Sequence, residues 1–213
     1  MREVHVVDGV SQEWVIGWKA AFASVTADLR TIRFKAVIKY SCTYGVEARA
    51  ICRAPHRTHA APDDQCRCGF NAWDSADLAV MYLDNHRAFL DKSASRFETS
   101  PPLGWSRSLT VLRVGLYGDV IEGTLDAGEN WDKWGYRASD QLTTDVFFSG
   151  HCAACGDQAR YIGATAKTSL MRSTLIPLNP LCVQHANRSE YILQPGSLSE
   201  RNNVGIHLGF PSD

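Results

Sequence analysis

Two groups of cysteine and histidine carry the chemistry that can be read from this chain. In the C-terminal third, Cys152-Ala-Ala-Cys155 is followed by Leu181-Cys182-Val-Gln-His185. A cysteine pair and a Cys–His pair, each with two intervening residues, supply four soft ligands for a tetrahedral ion. Three thiolates and one imidazole suit Zn²⁺, and a full set of four protein ligands leaves no position open to a substrate. That is the pattern of a structural ion. A redox Cys-x-x-Cys or unrelated buried thiols would account for the first pair but not for the second.

A second group lies upstream, in Cys52-Arg-Ala-Pro-His56-Arg-Thr-His59-Ala-Ala-Pro62-Asp-Asp-Gln-Cys66-Arg-Cys68-Gly69. It offers three thiols and two histidines, and Cys52, His59, Cys66 and Cys68 form the favoured ligand set, again for Zn²⁺. The prolines keep the intervening loop extended and free of helix. Free thiols in a surface loop are the plainer reading. Two zinc sites are therefore expected, the C-terminal one on the more regular spacing.

Other site chemistry is missing from the sequence. There is no Gly-x-x-x-x-Gly-Lys-Ser/Thr, no Gly-x-Gly-x-x-Gly, no Gly-x-Ser-x-Gly and no His-Glu-x-x-His. No His-x-Glu accompanies the Cys-x-x-Cys, which removes the zinc-deaminase pattern. Cys42, outside both groups, reads as a packing residue rather than a nucleophile.

The elements that must position these ligands follow from local pattern. Leu29–Tyr40 is rich in β-branched and aromatic residues and predicts a strand, and Val46–Ile51 either pairs with it or approaches the next Cys/His group. A helix is expected after Asp74 or Ser75, with Leu78, Met81, Tyr82, Phe89 and Leu90 as its apolar stripe and His86 as a packing or surface residue. Residues 109–122 predict one or two strands, and Asp145–Phe148 another. Around the C-terminal group, Gly156 permits a tight turn, Arg160–Gly163 and Ser173–Leu178 read as strands, and Pro180 starts a helix through His185 to about Ile192. This order resembles a treble-clef or zinc-ribbon finger. The expected architecture is α+β: a mostly antiparallel β domain with one helix over residues 1–150, a zinc-finger-like module over 151–194, and a loosely held tail over 195–213.

At Cys52 … His59-Ala-Ala-Pro62 … Cys66-Arg-Cys68-Gly-Phe-Asn-Ala72 the chain resembles a group of uncharacterised actinobacterial and actinophage proteins. Their pattern has a Gly-Trp-Arg start, a Cys … His-x-x-Pro … Cys-x-Cys-Gly motif and a late Gly-Tyr/Trp-Arg-Ala motif. Here the start is Ile16-Gly17-Trp18-Lys19-Ala20 and the late part is Leu116-Tyr117-Gly118-Asp119-Val120, then Gly135-Tyr136-Arg137-Ala138. Lys19 stands where the group has Arg, Tyr117 where it has Trp, and a longer insertion separates Glu122 from Gly135. The resemblance implies a metal site with His59 rather than His56 as ligand, and no activity.

The charge is close to balanced at −1, but unevenly spread. Asp28 to Arg57 holds seven basic and two acidic residues, whereas Gly115 to Asp145 holds seven acidic and two basic. The basic stretch, with Arg30, Arg33, Lys35, Arg49, Arg53 and Arg57 interleaved with Phe34, Tyr40 and Tyr44, is the candidate nucleic-acid surface. A protein partner is the alternative, with Trp131 and Trp134 as anchors for an adaptor acting on host or phage machinery. An enzyme with a distributed site ranks below both. No apolar run reaches the length of a membrane span and no export signal opens the sequence, so a cytoplasmic, zinc-bearing protein is expected rather than a disulfide-bonded one.

Overall fold

The structure is a computed structural model whose described residues are 1–7, 10–37, 43–52, 59–63, 66, 68–94, 108–123, 135–164 and 175–211. Its strands are β1 (Arg2–Val7), β2 (Val10–Thr26), β3 (Ile32–Ala36), β4 (Thr43–Tyr44), β5 (Glu47–Arg49), β6 (Phe70–Trp73), β7 (Leu109–Glu122), β8 (Gly135–Phe148), β9 (Tyr161–Ala164), β10 (Leu175–Leu181), β11 (Tyr191–Leu193) and β12 (Gly205–Leu208). Its helices are α1 (Ala76–Ala94), α2 (Val183–Ala186) and α3 (Pro195–Asn202). The protein is a mostly antiparallel sheet with few helices, as its strand-forming runs predict. No described helix is long and apolar enough to cross a membrane.

Three long strands, β2, β7 and β8, lie side by side, and the short β6 bridges β8 back to β2 at Trp18–Trp73. The pairing thus closes into a circuit, β2–β7–β8–β6. Gly17 is required at that closure, because a Cβ there would stand 2.7 Å from the Cβ of Ala72. Along β2, Val15, Ala21, Ala23 and Val25 enter the larger core with Phe34, Leu112, Val114, Leu116 and Ala138. Ala20 and Phe22 point the other way, under Ala79 and Leu83 of α1. A strand buried on both faces reads as an unbroken apolar run, so its type cannot be told from periodicity. The sequence reading accordingly missed the 17-residue β2.

Several expectations need correction. The inward face of α1 is Ala76, Ala79 and Leu83, with Tyr82 of the expected stripe packed against them; Met81 is exposed, and the side chains of Phe89 and Leu90 lie outside those described. Of the two roles open to residues 46–51, pairing with β3 gives way to the approach to the Cys/His loop: β5 lies along β8 just before Cys52, and the partner of β3 beyond β2 is β4. Pro180 opens no helix. It is a strand residue opposite Ile162, and its carbonyl accepts the Ala153 N–H at 2.8 Å. The helix that carries His185 is a single turn ending at Ala186. The chain then turns back to pair β11 with β9, which halts helix growth.

Over its described residues the C-terminal tail is docked on the main core rather than loosely held. Pro195 begins α3 at a position where a missing N–H costs nothing, and Asn203 ends it in the left-handed conformation. Leu198 and Val204 are buried in the main core, and Asn202 Oδ1 accepts the Ile32 N–H at 2.8 Å. β12 then adds to β8 in parallel. The expected division at residue 150 is crossed twice, because β10 pairs with β2 through Leu175–Pro177 before switching to β9.

One polar group stands out inside the circuit. Lys19 shares the β2 face of Val15 and Ala21; its Nζ donates to Gln141 Oε1 at 2.7 Å and lies 4.9 Å from the ring centres of Tyr44 and Phe70. Burial pushes its ammonium down to about 7, whereas an unfolded lysine titrates near 10.4. Between those limits the folded state holds fewer protons than the unfolded one, so stability rises with pH. Denaturant titrations at pH 7 and 9 should show a gain of roughly 2 kcal/mol that Lys19→Met removes. An equal gain in both proteins would contradict this assignment.

Candidate metal centres

The first Cys/His loop is an excursion from one edge of β8. β5 pairs with Asp140–Leu142 and β6 with Gly135–Ala138, both along that edge, and the Ala50 N–H extends the ladder to the Ser139 carbonyl at 2.6 Å. The chain therefore leaves the sheet just before Cys52 and rejoins it just after Cys68. Within this loop Cys52, His59, Cys66 and Cys68 bring four ligand atoms within 4.8 Å of one another. Cys52 Sγ lies 3.7 Å from Cys66 Sγ, and His59 Nε2 lies 3.3 Å from Cys68 Sγ. Gly69 follows at φ +110, a conformation that side-chain-bearing residues rarely take, and it returns the chain onto Ala138. His56 lies outside the described residues.

Arg137 locks this loop to the sheet. It is almost fully buried, and its Nη1 donates to the carbonyls of Asp63 (3.1 Å), Cys66 and Cys68 (3.4 Å). Sequence reasoning did not single this residue out as part of the site. Its place in Gly-Tyr-Arg-Ala was the available signal, since a buried guanidinium needs several acceptors at once.

The second centre is assembled from the turn after β8 and from the end of β10. Cys152 and Cys155 sit in a tight turn closed by the Gly156 N–H to the Cys152 carbonyl (2.9 Å), and Gly156 is at φ +83. The Ala154 N–H points at Cys152 Sγ (3.5 Å). Cys182 occupies the N-cap of α2, which places His185 one turn on. Cys155 Sγ lies 3.7 Å from Cys182 Sγ, and Cys182 Sγ lies 3.3 Å from His185 Nδ1. All four ligand atoms again fall within 4.8 Å of one another. Cys152 and Cys182 are buried with Leu181 and Ala186 in a small core of their own.

The thiols in each centre are split in their acidity. Burial opposes ionisation of Cys66, but the Cys68 N–H and the neighbouring Cys52 and Cys68 thiols outweigh it and bring Cys66 down to about 7. Burial and the sulfurs of Cys66 and Cys52 push Cys68 up to about 11. In the second centre burial again opposes, yet the N–H groups of Cys182, Ala154 and Cys155 lower Cys152 to about 7. The Asp157 N–H favours the Cys155 thiolate, but desolvation, the Asp157 carboxylate and the other sulfurs carry that thiol to about 12. Thiolates this close cannot all ionise side by side, and a divalent cation removes the conflict. The six cysteines described at these centres form no disulfide. Both clusters can hold a metal ion.

The expected nucleic-acid residues are not drawn together in the same way. Arg33 and Lys35 share one face of β3, and Arg30 lies in the turn before it. Arg49 is on β5, 3.8 Å from Asp140. Arg53 and Arg57 lie outside the described residues, as do Tyr40, Cys42, Trp131 and Trp134. Phe34 is fully buried, and Tyr44 packs against Phe34, Phe70 and Lys19, so neither ring is presented for stacking on a base. His86 is half-buried against Tyr82 and Phe22 and belongs to neither metal cluster.

Comparison with protein-family models, with curated proteins and with solved structures returns no match.

The Arg137 clamp has a measurable consequence. Arg137→Met should weaken metal binding at the Cys52 centre by about 10–100-fold while leaving the Cys152 centre unchanged. Cobalt(II) titration, followed by the thiolate-to-metal absorption, resolves the two sites when compared with Cys155→Ser, in which the first remains intact.

Proposed function

We propose that this chain is a zinc-stabilised, non-catalytic binding protein. The observation that carries this reading is that each of two separate loops presents a complete Cys₃His set. Four protein ligands per ion leave no coordination position for a substrate or an activated water, which favours a structural ion over a catalytic one. The spacing supports zinc. Zn–S bonds of about 2.3 Å and Zn–N bonds of about 2.0 Å in a tetrahedron put ligand atoms about 3.5–3.8 Å apart, close to the 3.7 Å and 3.3 Å separations found at both centres. The turn pair, the β9–β10 hairpin and the Cys–His turn of α2 follow the order of a treble-clef or zinc-ribbon finger.

The partner best supported is a protein that docks on this C-terminal finger. Val183, Tyr191 and Ile192, at 46%, 37% and 44% exposure, are three of the seven large apolar side chains exposed among the described residues. Val183 lies between Cys182 and His185, and Tyr191 and Ile192 are on β11, a few residues further along the same finger. β11 also has one strand neighbour, β9, among the described residues, which leaves an edge for a partner strand. Nucleic acid is the second reading, favoured by Arg33 and Lys35 on one face of β3 beside Arg30.

Metal analysis of the purified full chain should give two zinc ions, and one after either Cys66→Ser or Cys155→Ser. A titration against mixed single- and double-stranded nucleic acid at low and near-physiological salt separates the two partner classes. The protein reading expects no binding at low salt, together with a captured partner that is lost on Ile192→Asp. Tight binding with a steep salt slope that flattens in Arg33→Ala/Lys35→Ala would replace it with the nucleic-acid reading.

A further inference from the structure

The two centres differ in how far their sulfurs are open to solvent. Cys155 is exposed, Cys152 and Cys182 are buried, and Cys52, Cys66 and Cys68 are partly buried. Cys155 is followed by Gly156, where a Cβ would meet nothing within 4 Å, so among the described residues the exposed thiol has open space beside it. Cys182 Sγ stands 3.7 Å from Cys155 Sγ, in a row that ends on His185 Nδ1 at 3.3 Å. The first centre has a pair at the same spacing, Cys52 and Cys66, but Arg137 grips the carbonyls of Cys66 and Cys68 from the sheet. In the second, the turn and α2 meet through a small core of Cys152, Leu181, Cys182 and Ala186, and half of that core is ligands.

We propose that the Cys155 centre is a redox-sensitive switch, which a small hydroperoxide opens by joining Cys155 to Cys182. The inference rests on the zinc reading above and adds its regulation. As metal ligands both sulfurs are thiolates. The Cys155 sulfur attacks the terminal oxygen of the hydroperoxide, the O–O bond breaks, and the departing oxygen takes a proton from water. Cys155 is then a sulfenic acid. The Cys182 sulfur displaces that oxygen as hydroxide, which is protonated to water, and the S–S bond closes. Two thiolates lose two electrons and the hydroperoxide gains them, ending as an alcohol and water, or as two waters from hydrogen peroxide. Cys152 and His185 are left as two ligands of four, too few to hold the ion. Val183, Tyr191 and Ile192 belong to the same finger, so opening the centre loosens the surface on which the proposed partner docks.

The test treats the full, zinc-loaded chain with hydrogen peroxide at pH 7. Released zinc is followed with a chromogenic chelator, and disulfides are mapped by mass spectrometry. One ion per chain should leave about tenfold faster than the other, together with a Cys155–Cys182 disulfide, while Cys52, Cys66 and Cys68 remain alkylatable after unfolding. Excess thiol with added zinc should restore both ions. Cys155→His keeps four ligands but removes the exposed sulfur, and its second ion should stay bound at the same peroxide concentration. Equal release from both centres, faster release from the Cys52 centre, or a disulfide that leaves out Cys155 overturns the proposal in the unsubstituted chain alone. A chain that carries no zinc before oxidation removes the metal reading instead, and the disulfide map then decides the Cys155–Cys182 pairing by itself.

Discussion

The constraint on which both loops depend is that three thiols and an imidazole are gathered where they cannot all ionise. Two thiolates 3.7 Å apart, as Cys52–Cys66 and Cys155–Cys182 would be, repel each other. Without a cation, each cluster keeps one thiol acidic and holds another protonated. Among the described residues, little else in these segments opposes that repulsion. The first loop joins the sheet through backbone ladders at its two ends and through Arg137, and the second has a core of a few small side chains. A bound divalent ion converts the mutual repulsion into four bonds, so the fold of each loop and the occupancy of its ligands are one equilibrium.

β8 is the frame for both centres. One of its edges carries β5 and β6, which bracket the first loop, and its C-terminal end runs directly into the Cys152 turn. Three thiolates, one neutral imidazole and a divalent cation sum to −1, and a buried guanidinium beside them supplies the opposite charge. Arg137 is suited to this because it stays ionised when buried and its Nη1 reaches three carbonyls of the same loop. At the second centre Cys152 and Cys182 are buried and Cys155 is exposed.

What could be read from the sequence was chemical and local. Candidate ligands need only residue type and spacing, so the two clusters that could hold a metal ion, Cys52, His59, Cys66 and Cys68 and Cys152, Cys155, Cys182 and His185, were legible. The helix after Asp74 and the strands at 109–122 were legible for similar reasons. What failed depended on contacts distant in the chain. β2 is buried on both faces because α1 covers one of them, and no single window contains both elements. Pro180 carries a helix-start signal, but the pairing of Leu178–Leu181 with β9 decides its conformation. The tail is polar by composition, yet Leu198, Asn202 and Val204 find partners roughly 170 residues earlier or inside the main core. The aromatic residues of the basic stretch alternate correctly for a strand, but the strand turns Phe34 inward.

Motifs that stand far apart in the sequence meet at one place. Gly17 admits Ala72 at the β2–β6 closure, Lys19 lies over Phe70, Arg137 holds the Cys66 and Cys68 carbonyls, and Ala138 pairs with Phe70 beside Gly69. The metal loop, the closure of the circuit and the interior amine are therefore parts of a single construction. The two cations within it have opposite physical status. Arg137 donates through Nη1 to three backbone carbonyls of the metal loop. Lys19 has aromatic faces and one amide oxygen, too little to hold a full charge against desolvation, so the proton is the weakly held component. An arginine in place of Lys19 would remain charged between the same rings and could only pack. Lysine at this position gives the interior a cation whose proton is weakly held.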